Sequence, residues 1–85
     1  MEYNFKIDEK LQDLIDTSIT IQEKQATYGI AVNRFIRQYY SEDRVEAILN
    51  NFIANPSDEH RADFNDLQIC RASAKAYAKE LLGIE

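Results

Sequence analysis

Apolar residues recur three and four positions apart along most of the chain, the spacing that places side chains on one face of an α-helix. No comparable run of strictly alternating residues is long enough to build a sheet. The pattern therefore predicts an all-α fold, a small three- to four-helix bundle whose helices are antiparallel and joined by short connections. The apolar stripes, in chain order, are Leu11, Leu14 and Ile15; Tyr28, Val32, Phe35, Ile36 and Tyr39; Val45, Ile48, Leu49, Phe52 and Ile53; and Leu67, Cys70, Ala74, Tyr77 and Leu81.

Residues suited to helix ends flank three of these stripes. Asp8 and Ser41 are good N-caps, because their side-chain oxygens can accept hydrogen bonds from the first free backbone N–H groups of a helix. Pro56 ends the third helix at Asn55, since a residue before proline is driven out of the α region. The last helix begins near Pro56 or Ser57. Gly83 suits the left-handed residue that closes a helix in a Schellman motif.

Two short stretches leave the first half of the chain ambiguous. Residues 17–21 are rich in β-branched side chains, which alone would favour a strand. A strand with no partner is unstable, so we interpret these residues as helix, bent at this point. Gly29 interrupts the second stripe and favours a break or kink there. The pattern leaves open whether residues 8–40 form one bent helix or two.

Composition indicates one soluble domain spanning residues 1–85. The chain contains only two glycines and one proline, so long helices and few loops are expected. Its net charge of −5 disfavours nucleic acid and anionic membranes as general partners. Its single cysteine cannot form an internal disulfide, which suits a reducing cytosol. With no secretory signal and no apolar run long enough for a membrane span, we expect a cytoplasmic protein with no membrane partner.

The residues that usually carry chemistry are scarce. His60 and Cys70 cannot by themselves supply the three or four nitrogen and sulfur ligands of a zinc site. Cys70 falls on an apolar stripe, where a free cysteine packs as a small hydrophobic side chain. His60 is expected to be a solvated residue in a first helical turn. We therefore predict no enzyme activity, no cofactor and no metal.

Charge is unevenly distributed along the chain. Residues 28–40 carry only two charges, both arginines, whereas residues 41–66 carry seven acids and two bases. On the second helix the side away from the apolar stripe holds a cluster typical of protein-binding hot spots. The predicted partner-binding residues are Ile30, Asn33, Arg34, Arg37 and Tyr40. The alternative is that the arginines pair inside the fold with the acids of the last helix, namely Asp58, Glu59, Asp63 and Asp66.

Residues 29–37 also resemble the turn and second helix of the helix-turn-helix family. Gly29, Ile30 and Phe35 match the family's turn glycine and its two apolar positions. The resemblance implies that Asn33, Arg34, Arg37 and Gln38 face DNA bases and phosphates. Gln25 departs from the pattern, which has a small residue four positions before the glycine.

Two functions follow as hypotheses. The first is a small protein-interaction module, a regulator, inhibitor or assembly factor of the kind common in bacteria, phages and mobile elements. It would dock a helical face on a protein partner or on a second copy of itself. The second is a DNA-binding regulator that uses residues 29–40 in the manner of a helix-turn-helix.

Overall fold

The structure of the protein is a computed structural model that describes residues 3–84, and in this range it contains α-helices and no strands. The helices are α1 (Glu9–Thr17), α2 (Ile21–Arg37), α3 (Glu42–Ala54) and α4 (Asp58–Leu82). The all-α prediction is confirmed, and the antiparallel order of a bundle stays a prediction. None of these helices is both long and apolar enough to cross a bilayer.

The predicted helix ends at Asp8 and Ser41 are confirmed. Asp8 Oδ1 accepts a hydrogen bond from the backbone N–H of Leu11 at 2.7 Å, and Ser41 Oγ accepts one from Arg44 at 3.1 Å. Ser57 caps α4 in the same way. Each cap satisfies a backbone donor that the first turn of a helix leaves free.

Gly83 closes α4 as predicted. Its φ of 65° lies in the left-handed region that glycine adopts without a steric penalty. The backbone N–H of Ile84 donates to the carbonyl of Lys79 at 3.1 Å, and that of Gly83 donates to Glu80 at 3.3 Å. This pair of bonds is the Schellman motif.

The break in the first half of the chain lies at residues 18–20, so the prediction of helix through residues 17–21 is wrong at these three positions, while Thr17 and Ile21 are helical. Thr20 begins α2 with a capping box, in which its side chain and that of Glu23 each bind the other's backbone N–H. Short hydroxyl side chains at Ser18 and Thr20 offer the backbone local hydrogen bonds that compete with helix. Ser18 Oγ bonds both the Leu14 carbonyl and the hydroxyl of Thr27. Residues 8–40 thus hold two helices.

Gly29 does not break α2, so the prediction of a break there is wrong, and a kink stays a prediction. It lies near the middle of a helix of 17 residues that continues to Arg37. A capping box on one side and five buried residues along α2 hold the helix together despite the weak propensity of one glycine.

Helix α4 is the element against which α2 and α3 pack. It contacts α2 and α3, and α1 contacts α2. Phe52 of α3 stacks on Phe64 with ring centroids 4.1 Å apart, and Phe35 of α2 lies 5.3 Å from Tyr77. The fully buried side chains of the core include Phe35, Leu11, Ile48, Leu67 and Cys70.

Ile53 is a correction to the predicted stripe of α3, because it is 78% exposed. It follows the buried Ile48 by five positions, which is about 140° around the helix. Only the side of α3 that carries Val45 and Ile48 is buried. The short α3 therefore buries a narrower stripe than its sequence suggests.

Residues 3–7, here called the N-terminal strap, cover the core between α2 and α4. Tyr3, Phe5 and Ile7 are half-buried while the residues between them are exposed, the alternation of an extended chain. Phe5 lies 5.1 Å from Phe35 and 6.2 Å from Tyr77 between ring centroids. Burial, followed by the neighbouring Tyr40, raises the pKa of Tyr3 to about 12.

Candidate functional site: the outer face of α2

Three of the five predicted partner-binding residues share an exposed side of α2. Ile30, Asn33 and Arg37 follow one another at spacings of three and four, and all are exposed. Ile30 leaves 41% of its surface to solvent, although it is a large apolar side chain in the middle of a helix. The sequence placed these three together correctly.

Arg34 is engaged within the chain. Its Nη1 lies 3.2 Å from Oδ1 and 3.3 Å from Oδ2 of Asp8, the residue that caps α1. The sequence allows pairing of this arginine inside the fold, and the structure provides it through Asp8, not through the acids of α4. Both side chains are partly exposed, so the pair adds little stability, yet it occupies the guanidinium.

Tyr40 does not lie on this face. Helix α2 ends at Arg37, so the helical spacing that linked Tyr40 to Arg37 does not extend to it. Tyr40 is half-buried and packs against the core, next to Tyr3. Its assignment to the outer side of the helix is wrong for this reason.

The structure adds Ala26 and Gly29, which sequence reasoning did not assign to a site. Ala26 precedes Ile30 by four positions and is exposed, and Gly29 is exposed beside them. We call Ala26, Gly29, Ile30, Asn33 and Arg37 the α2 outer face. The helical spacing from residue 26 to residue 37 indicates this face in the sequence. The prediction of a break at Gly29 divides the spacing into two parts and so excludes Ala26.

Nothing within the described chain requires glycine at position 29. A Cβ placed there would meet no atom within 4 Å. Its φ is not positive, since among residues 3–84 only Gly83 has that conformation. A glycine in a helix interior costs about 1 kcal/mol relative to alanine. At Gly29 the α2 outer face therefore has no side chain, which we call its flat point. This glycine lowers the stability of α2, and no contact within the described chain requires it.

Arg37 supplies the positive charge of this surface. It is exposed, and it forms no ion pair with the rest of residues 3–84. Glu23, one turn before Ala26, is held by the capping box, which lowers the pKa of its carboxyl. The α2 outer face is thus small and apolar in its middle and basic at its C-terminal end.

The structure lacks the turn at Gly29 on which the helix-turn-helix resemblance depended. That family has a turn at its glycine, whereas Gly29 lies inside a continuous helix. Gln38, one of the residues expected at the bases, instead uses its side-chain amide to bind the backbone of Lys6 at both 2.9 and 2.7 Å. The turn predicted at Gly29 is therefore wrong, and Arg34 and Gln38 are engaged within the chain, whereas Asn33 and Arg37 remain exposed.

The residues considered for chemistry are engaged in the fold. Cys70 is fully buried in the core, as expected, and burial raises the pKa of its thiol. His60 is half-buried, not solvated as expected, and its Nδ1 bonds the carbonyl of Asn55 across the α3–α4 connection. Within residues 3–84 no group of three or more potential ligands could hold a metal ion.

A shallow groove lies between the N-terminal strap and α4. Its volume is about 250 Å³, and it is lined by Tyr3, Asn4, Phe5, Ser73 and Tyr77. These residues offer mainly aromatic surface and no charged side chain.

No family model matches this chain, and no curated protein and no solved structure is significantly similar to it.

Proposed function

We propose that this protein is a small helical interaction module, a cytoplasmic regulator, inhibitor or assembly factor that acts by binding and not by catalysis. Its antiparallel bundle presents the α2 outer face to a protein partner. The observation that carries the proposal is Gly29, an exposed glycine in a helix interior with open space beside it and an ordinary helical conformation. Glycine destabilises a helix interior, but it allows a partner to approach the helix backbone closely, and such a contact would account for its presence here.

The composition of the α2 outer face suits a helical partner. Ala26 and Gly29 are small, so a helix of the partner can approach the backbone of α2 closely. Ile30 is a large apolar side chain that can insert between the side chains of the partner helix. Arg37 can form a bidentate pair with a carboxylate. We therefore propose an amphipathic helix with an acidic residue at the end that meets Arg37.

The first test replaces the apolar anchor. Ile30→Glu should abolish recovery of the partner in affinity purification from the native host, because it places a charge at the centre of the contact. Ile53→Glu is the matched control, since Ile53 is also an exposed isoleucine but lies on α3. Equal recovery with both variants would remove the α2 outer face from consideration.

The second test concerns Gly29 itself. Gly29→Ala should raise the free energy of unfolding by about 0.5–1 kcal/mol, because alanine has the higher helix propensity and its methyl group meets open space. Gly29→Leu should fold equally well but fail to bind the partner, because its side chain fills the flat point. Urea unfolding measures the first effect and quantitative pull-down the second. Full binding by Gly29→Leu contradicts the close approach.

Duplex DNA is tested alongside, although we do not propose it. Without a turn at Gly29, only Asn33 and Arg37 remain available on α2 from the set that the resemblance implied. Salt-dependent binding of duplex DNA by the wild type, lost in Arg37→Glu, would assign the same face to nucleic acid.

A further inference from the structure

The outward side of α4 has the spacing of a coiled-coil seam. Exposed residues recur at alternating intervals of three and four over most of the helix. With Ile69 assigned to position a, they occupy the a and d positions of a heptad repeat. We call these residues the α4 seam; they are Ala62, Asn65, Ile69, Ala72, Ala76 and Lys79. The buried residues Leu67, Cys70, Ala74 and Ala78 occupy the opposite side of the helix, where α2 and α3 pack.

Ile69 is the principal apolar side chain of the seam. It is 50% exposed, and the alanines at positions 62, 72 and 76 are exposed as well. Alanines allow two helices to approach closely, and Ile69 is a β-branched apolar residue at an a position, where two-stranded coiled coils commonly carry one. The seam is thus suited to another helix of the same kind.

The charges beside the seam identify that helix. The g positions, on one side, are Arg61, Gln68 and Lys75, and the e positions, on the other side, are Asp66, Ser73 and Glu80. In a parallel coil each g residue meets the e residue five positions later in the partner helix. Two copies of α4 would therefore pair basic Arg61 with acidic Asp66, polar Gln68 with Ser73, and Lys75 with Glu80.

An antiparallel pair would have the opposite effect, because it brings g beside g and e beside e. The bases would then face bases and the acids would face acids. We propose that the α4 seam is the contact of a parallel homodimer, and that its e and g charges set both the partner and the orientation.

The charges needed for this contact are available. Asp66, Lys75 and Glu80 are exposed and form no ion pair within residues 3–84. Arg61 lies 3.6 Å from Asp58, but both side chains are highly exposed, so the pair is readily exchanged. The hydroxyl of Tyr3 binds the backbone carbonyl of Asp66 and leaves its carboxylate free.

The dimer is expected to be weak. A helix of 25 residues is about 37 Å long and about 10 Å wide, so a paired strip buries about 740 Å² in total over the two copies. Stable interfaces bury about 1,200 Å² or more. Asn65 and Lys79 at d positions reduce stability further, as polar seam residues do, while they restrict register. Association should therefore appear only at high protein concentration.

Sedimentation equilibrium of the full chain, up to about 1 mM, tests the proposal. The wild type should shift reversibly from monomer to dimer, and Ile69→Glu should weaken this association at least about 10-fold because it places two carboxylates, one from each copy, at the centre of the seam. Ile53→Glu, the matched control on α3, should associate like the wild type. A monomeric wild type throughout the range, or equal weakening by both variants, overturns the proposal.

A charge exchange tests the pairing in a way that cannot be confused with loss of the apolar contact. One variant carries Arg61→Glu with Lys75→Glu, and the other carries Asp66→Lys with Glu80→Lys. Each alone should remain monomeric, and an equimolar mixture should form a heterodimer. Circular dichroism confirms that both variants fold. Absence of a heterodimer overturns the proposal.

Orientation is read from single cysteines, since Cys70 is buried and does not interfere. In a parallel dimer Ala62→Cys and Lys79→Cys each form a disulfide with their own kind under mild oxidation. An antiparallel dimer would cross-link only the mixture of the two, because the two positions then face each other. That second result contradicts the proposed geometry. Gly29→Leu, which blocks the α2 outer face, should leave dimerisation unchanged and so separates this proposal from the first.

Discussion

At the scale of single residues, the first half of the chain is organised by side chains that bind backbone groups. Thr20 and Glu23 close the start of α2 reciprocally, with bonds of 3.1 Å from the N–H of Glu23 to Thr20 Oγ1 and 2.9 Å from the N–H of Thr20 to Glu23 Oε1. These bonds lower the pKa of the Glu23 carboxyl from its usual 4.5, because they favour its charged form. The α2 outer face, which begins at Ala26, therefore lies one turn after this cap.

This cap makes part of the stability pH-dependent. A carboxyl whose pKa is lower in the folded state stabilises the protein above its unfolded pKa, and this contribution is lost as pH falls through the folded value. The urea midpoint of the wild type should therefore fall as pH drops below about 4.5. Glu23→Gln retains a hydrogen-bonding side chain but does not titrate, so its midpoint should fall less steeply over the same range. Parallel slopes for the two proteins would argue against the assignment.

At the scale of elements, the N-terminal strap is held by side chains instead of a neighbouring strand. Tyr39 Oη accepts from the N–H of Asn4 and donates to its carbonyl, both at 2.9 Å. Gln38 makes the equivalent pair of bonds with Lys6. Backbone groups of Asn4 and Lys6 are thus bound by the two residues that directly follow α2, and Phe5 between them packs on Phe35.

Tyr39→Phe should loosen the strap without unfolding the helices. Removing the hydroxyl deletes two hydrogen bonds at an exposed site, where water replaces part of their value, so a cost of about 1 kcal/mol is expected. Hydrogen exchange of the backbone amides of residues 4–6 should speed up about fivefold, with the amides of α4 unaffected. Tyr28→Phe removes a hydroxyl from α2 and serves as the control. Equal exchange in the two variants would mean that Tyr39 does not hold the strap.

At the scale of the whole molecule, the protein is a rod. Its extents are 45 × 21 × 21 Å and its radius of gyration is 14.5 Å, whereas a compact domain of this length has about 12 Å. The length follows from α4, which contacts α2 and α3 on its buried side. This shape leaves the α2 outer face and the α4 seam as separate surfaces on different helices. A dimer through the α4 seam would therefore carry two copies of the α2 outer face, which would raise its avidity for a bivalent partner.

Small-angle X-ray scattering should show this rod directly. At low concentration the pair-distance distribution should be skewed, with a maximum dimension more than twice the width. At high concentration the cross-section should grow while the length changes little, because the proposed dimer pairs its copies side by side. A monomer with the symmetric distribution of a sphere contradicts the fold, and a dimer of nearly double length contradicts a parallel contact along α4.

What the sequence determined by itself is local. Helix content, the caps at Asp8 and Ser41, the left-handed Gly83 and the burial of Cys70 all follow from interactions within a few residues or from one helical stripe. The shared exposure of Ile30, Asn33 and Arg37 was also predictable, since their spacing places them on one face wherever α2 is helical.

Only tertiary structure decided the rest. Arg34 met Asp8, 26 positions away, and Tyr40 turned toward the core because α2 ended before it. The strap could not be foreseen from helical spacing, because its partners Gln38 and Tyr39 lie more than 30 positions distant. Gly29 could be recognised as a surface feature only once a continuous helix showed that nothing packs beside it. Contacts across such separations depend on which faces the helices bury against one another, and no local pattern encodes that choice.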